Sequence, residues 1–201
     1  EGVALLIELG ADVNATTSPK TAEAAGLPSG DSSDTPLLLA IRHGRTECVR
    51  MLLDVGADWG ARDSGGNTAL HLAVCAHVTE CVRLLLGAGV ACSKDAVNDD
   101  GRTPLHYAAK QHPECLWELK VSGFDIDAPD FGGYTPLHLA AQAGNQQSVE
   151  LLKVWGADRD AKTFEGLKPS DLAANGKIKK LLGLTMAQQR ASLPATLGVC
   201  A

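Results

Sequence analysis

"GRTPLHYAAK" at 101–110 and "GYTPLHLAAQ" at 133–142 spell nearly the same ten residues twice, 32 positions apart. A catalytic centre needs each of its groups once. A near-copy at a fixed offset marks a structural unit that is stacked on its neighbour. Aligning the chain on the residue before each Pro-Leu-like pair gives Thr35, Thr68, Thr103, Thr135 and Lys168, at steps of 33, 35, 32 and 33 residues. Five positions after each stands an alanine: Ala40, Ala73, Ala108, Ala140 and Ala173. Two positions before stands a glycine in four of the five: Gly66, Gly101, Gly133 and Gly166. A second glycine series, Gly10, Gly56, Gly89, Gly123 and Gly156, closes the units.

Each register has a physical task. The threonines can cap a helix by accepting unpaired backbone N–H groups. Pro36, Pro104, Pro136 and Pro169 fit a first helical position, where no N–H is needed. The small alanines let a neighbouring helix approach. Gly44 and Gly144 suit the left-handed residue that ends a short helix. His77 and His112 hold the matching places, so there a side chain is held in the left-handed region or the turn changes shape. A second helix follows in each unit, clearest in "TECVRMLL" (46–53) and "TECVRLLL" (79–86), whose apolar residues recur at helical spacing. Leu84 is expected to be buried between helices. A unit of helix, turn, helix and extended loop cannot bury its own apolar face, whereas a stack of them can.

"TPLHYAA", "TPLHLAA" and "TALHLAV", together with "GADVNA" (10–15) and "GADWGA" (56–61), resemble ankyrin repeats over roughly residues 1–182. The resemblance implies an all-α repeat solenoid of stacked helix-turn-helix units with β-hairpin-like loops projecting along one edge. It also implies that His71, His106 and His138 tie adjacent loops by hydrogen bonds. The predicted organisation is a partial first repeat (1–15), an inserted Ser/Thr/Gly/Pro-rich loop (16–34), four repeats (35–164), a capping repeat (165–182) and a tail (183–201). The inserted loop carries 13 residues more than the matching stretch after Gly56 and includes "SPK" (18–20), a weak phosphorylation signal. In the cap, Asp171 replaces the repeated His, and Lys177, Lys179 and Lys180 supply a polar outer face.

Composition narrows the function classes. The 201 residues are 45% hydrophobic but only 4% aromatic, so the core rests on Leu, Val and Ala. A net charge of −6 argues against a nucleic-acid surface. No apolar run reaches membrane-spanning length. The six cysteines lack zinc spacing and point to reduced thiols in the cytosol or nucleus. Glu1 opens the chain without Met or a leader, which reads as an excerpt of a longer protein. His71 and Cys75 share a helix face at the spacing of a nucleophile and its base, but the structural role of the His column accounts for His71. Cys48, Cys81 and Cys115 align one repeat apart, about 10 Å, which is too far for disulfides. "NDDGR" (98–102) lacks the alternating acids of a calcium loop and reads as a turn. No cofactor or metal motif is found.

Function is therefore expected at a surface. Positions four, three and one before each anchor form loop tips, and positions seven and eight after it end the first helix. They line one concave strip: Arg42, His43, Asn67, Cys75, Asp99, Asp100, Arg102, Lys110, Gln111, Phe131, Tyr134, Gln142, Phe164 and Glu165. Arg102 and Tyr134, with Phe131 and Phe164 nearby, have the residue types that anchor protein interfaces. The reading is a non-enzymatic, monomeric scaffold for a protein partner. The alternative is the regulatory ankyrin module of a larger enzyme, channel or transcription regulator.

Overall fold

The computed structural model describes residues 9–16, 34–88 and 96–183. Nine α-helices lie within them: α1 (Pro36–Arg42), α2 (Thr46–Asp54), α3 (Ala69–Cys75), α4 (Thr79–Gly87), α5 (Pro104–Gln111), α6 (Pro113–Val121), α7 (Pro136–Ala143), α8 (Gln146–Val154) and α9 (Gly176–Gly183). They form two rows. The first helices α1, α3, α5 and α7 pack in series, the second helices α2, α4, α6 and α8 do the same behind them, and α9 closes the second row. No strand occurs among the described residues; the loop after α2 has one isolated bridge, Arg62 to Thr68. Most of the insertion (17–33), the loop 89–95 with Gly89, and the tail from 184 lie outside the described residues.

The repeated residues take the roles their spacing assigns. Thr68, Thr103 and Thr135 sit in capping boxes at the starts of α3, α5 and α7, with a histidine in place of the usual Glu at the third helical position. Thr35 caps α1 alone, its hydroxyl accepting the Leu38 N–H at 3.4 Å. Ala73, Ala108 and Ala140, with Leu37, Leu70, Leu105 and Leu137, are buried in one continuous core that the first helices share with the second. In α4 the fully buried leucine is Leu85; Leu84 is half-buried. The interior face of that helix is Cys81, Val82 and Leu85, at helical spacing, which turns Leu84 to its flank.

Two turns depart from the rest. His77 is left-handed at φ 60°, close to Gly44 at 63°, and is the only non-glycine with positive φ among the described residues. His112 instead has φ −133°, and Pro113 starts α6 directly after it. There the turn has changed shape. The last unit departs further. Residues 168–175 form turns without a first helix. Lys168 offers no side-chain acceptor to cap one, and Asp171 closes the turn by accepting the Lys168 N–H at 2.9 Å. Helix α9 buries Ile178 and Leu182, leaves Lys177, Lys179 and Lys180 exposed, and is tied to α8 by Lys153, whose ammonium donates to the Leu181 carbonyl.

Candidate interaction surface

The loop tips are built on one buried position that the sequence reading passed over. Five residues before the last four anchors stand Asp63, Asn98, Asp130 and Thr163, all at most 8% exposed. The Asp63 carboxylate accepts the N–H groups of Gly65 and Asn67 at 2.9 and 2.8 Å. Asn98 does the same for Asp100 and Arg102, both at 3.0 Å, and Asp130 for Gly132 and Tyr134, both at 2.9 Å. Thr163 accepts the Leu167 N–H at 3.2 Å. A side-chain acceptor folds each tip from within. The legible signal was the recurrence of short side chains with acceptor oxygens at a fixed offset. Residues 98–102 thus close as a turn, as their composition suggests.

Neighbouring tips are then joined. The N–H groups of Asp99, Phe131 and Phe164 donate to the carbonyls of Gly65, Asp100 and Gly132 at 3.1, 3.0 and 3.0 Å. A Cβ on Gly101 would stand 2.6 Å from the Phe131 nitrogen, and one on Gly133 2.9 Å from the Phe164 nitrogen. Gly101 and Gly133 are therefore required by close approach of the next tip as well as by their positive φ, 78° and 79°.

The histidine column supplies a second set of bonds between units. His71 Nδ1 accepts the Thr68 N–H at 3.2 Å, and Nε2 lies 2.8 Å from the Arg102 carbonyl oxygen of the next repeat. His106 spans from Thr103 (3.1 Å) to the Tyr134 carbonyl (2.9 Å), and His138 from Thr135 (3.1 Å) to the Leu167 carbonyl (3.1 Å). The arrangement needs the tautomer with Nδ1 accepting and Nε2–H donating. Burial lowers the pKa of all three, that of His71 to about 4, so the rings are neutral at pH 7. Both His71 nitrogens are engaged, and desolvation with the nearby Asp63 carboxylate pushes the Cys75 thiol up to about 11. That pair has neither a free base nor a thiolate. Cys48, Cys75, Cys81 and Cys115 are free thiols, and the sulfurs of Cys81 and Cys115 lie against the hydroxyls of Thr46 and Thr79.

On this frame the strip residues differ sharply in availability. Arg42 pairs with Asp34 at 3.1 Å and with Asp63 at 2.7 Å. Arg102 pairs with Asp130 and Asp100, each at 3.2 Å. The Asn67 carbonyl accepts from Asn98, which also donates to the Tyr107 hydroxyl at 2.9 Å. Tyr134 is half-buried and meets His138 edge-on at 5.9 Å. His43, Asp99, Lys110, Gln111 and Gln142 are exposed, as are Cys75, Asp100 and Glu165. Phe131 and Phe164 stand out, 68% and 81% exposed on consecutive tips.

A sequence model described as "Ankyrin repeats (3 copies)" matches residues 1–95 and, again, 79–163. The chain belongs to the ankyrin-repeat family. Members of this family are generally protein-interaction modules, and the ankyrin fold itself is a non-catalytic one. Among similar proteins, NF-kappa-B inhibitor alpha of Gallus gallus is 41% identical over 66 residues, 32% of this chain and 21% of that protein. Neurogenic locus notch homolog protein 2 of Homo sapiens is 35% identical over 122 residues, 60% of this chain and 5% of that protein. E3 ubiquitin-protein ligase XBAT32 of Arabidopsis thaliana is 36% identical over 148 residues, 59% of this chain and 29% of that protein. The matched ankyrin stretch thus spans less than a third of the length of each of these relatives. No helix among the described residues is long and apolar enough to cross a membrane.

Proposed function

We propose that this ankyrin chain is a non-enzymatic scaffold, active as a monomer in the cytosol or nucleus, that docks a protein partner along its tips and first-helix ends. The observation that carries the reading is the aromatic pair Phe131 and Phe164, which stay 68% and 81% exposed in a chain with only 4% aromatic residues. Exposed aromatics beside a half-buried Tyr134 have the character of interface anchors. Lys110, Gln111, Gln142, Asp99, His43, Asn67, Arg42 and Arg102 would form the polar rim, the two arginines held in place by their aspartates. The organisation that goes with it is a partial repeat to residue 15, four repeats over 35–164 and a cap over 165–182. A second reading, a regulatory module within a longer enzyme, channel or transcription regulator, is favoured by the small share of each relative that the chain covers.

Affinity capture from cell extract, followed by calorimetric titration of the captured partner, tests the surface. Phe131→Ala, Tyr134→Ala and Phe164→Ala are expected to lower affinity, the strongest by ~2 kcal/mol or more. Glu150→Ala on α8 should bind like the parent. Loss of binding in Glu150→Ala with the three tip variants intact would place the partner on the opposite face.

A further inference from the structure

His77 and His112 are 35 residues apart, yet their rings face each other at 4.3 Å between centroids, tilted by 30°. They occupy the same place in consecutive units, the turn between first and second helix. The residue Glu114, in the first turn of α6, joins them. One ligand atom from each of the three, two imidazole nitrogens and a carboxylate oxygen, lies within 4.8 Å of the other two.

Two features set this cluster apart from a chance surface grouping. His77 holds φ 60° at a position where Gly44 and Gly144 adopt the same conformation without a side chain to strain. A left-handed non-glycine residue is strained, and such strain concentrates at functional positions. The His112 turn has also abandoned the left-handed form, at φ −133° and ψ 70°, and its ring lies against that of His77. His77 and Glu114 are exposed and His112 half-buried, so an ion has access.

We propose that His77, His112 and Glu114 form a divalent transition-metal site, suited to zinc, that clips two consecutive ankyrin repeats together at their inter-helix turns. Two neutral imidazoles and one carboxylate match the borderline donor set that zinc takes, with water completing the tetrahedron. Ligand atoms around a zinc ion at its usual bond lengths lie ~3.3 Å apart. Binding would draw the present spread in to that value by rotation of the exposed His77 and Glu114 side chains. The ion binds only the folded arrangement, because the two histidines meet only when the repeats are stacked, so it stabilises the stack.

The test uses the full chain, stripped with chelator and titrated with cobalt(II) and zinc. Cobalt reports its ligands by absorption, and a thiolate charge-transfer band distinguishes cysteine binding from nitrogen and oxygen binding. The expected result is one equivalent of cobalt bound without a thiolate band, and a zinc-dependent rise in melting temperature. His77→Gly keeps the left-handed turn and removes a ligand. It should fold without metal yet bind at least ~10-fold more weakly and lose the thermal shift, since even indirect ligand contacts are worth that much. Glu114→Gln should weaken binding as well. No binding by the parent, undiminished binding by His77→Gly, or a thiolate band would each overturn the proposal.

Discussion

Acidification should weaken this stack through its histidine column, and His71 sets the scale. Its ring is fully buried, accepts the Thr68 N–H and bonds the Arg102 carbonyl of the next repeat. A second ring proton would abolish the acceptor at Nδ1 and place a charge in an apolar seam. Burial accordingly lowers its pKa from 6.5 to about 4. Below pH 6.5 the unfolded chain binds a proton that the folded chain refuses. The stability contributed is complete above that pH, falls as pH drops, and is fully lost by about pH 4. The whole shift corresponds to ~3 kcal/mol, of which ~2 kcal/mol is lost between pH 7 and pH 5. His106 and His138 are shifted in the same direction by burial, so they add to the loss. Side-chain NMR of isotope-labelled histidine should show His71 remaining neutral through pH 5. Urea unfolding at pH 7 and pH 5, in the parent and in His71→Gln, should show the pH penalty smaller in the variant by ~2 kcal/mol. A His71 resonance titrating near its ordinary value in the folded protein, or equal penalties in parent and variant, would refute the argument.

Core and tip substitutions should separate by position. Leu85→Ala, at a fully buried site, should cost ~2–5 kcal/mol in urea unfolding, and Leu84→Ala, on the half-buried flank, clearly less. Equal losses would mean that the face of α4 is misassigned. Gly101→Ala and Gly166→Ala both place a side chain at positive φ, near 80°. Gly166→Ala meets nothing and should cost only the conformational ~1–2 kcal/mol. Gly101→Ala also drives a methyl group toward the Phe131 backbone and should cost more, so a thermal melt ranking the two the other way would contradict the close approach of the tips.

The sequence by itself determined the period, the helix starts and the histidine column. Those features are short-range: a capping threonine, a proline that needs no N–H, a histidine three positions on, and apolar residues at helical spacing all act within one unit. What the tertiary structure decided depends on how one unit sits on the next. Arg42 and Arg102 have the residue type of anchors in sequence, but they face aspartates 21 and 28 residues away, and only stacking brings these together. Phe131 and Phe164 look like their fellow tip residues until the backbone places each against the preceding glycine and leaves the ring in solvent. The last unit carries much of the repeat signature yet forms no first helix, because its anchor Lys168 offers no side-chain acceptor to cap one. His77 and His112 read as matching turn residues of two consecutive units, each judged by its own turn. They become a facing pair because packing, with long-range partners that no local pattern encodes, sets the register between repeats.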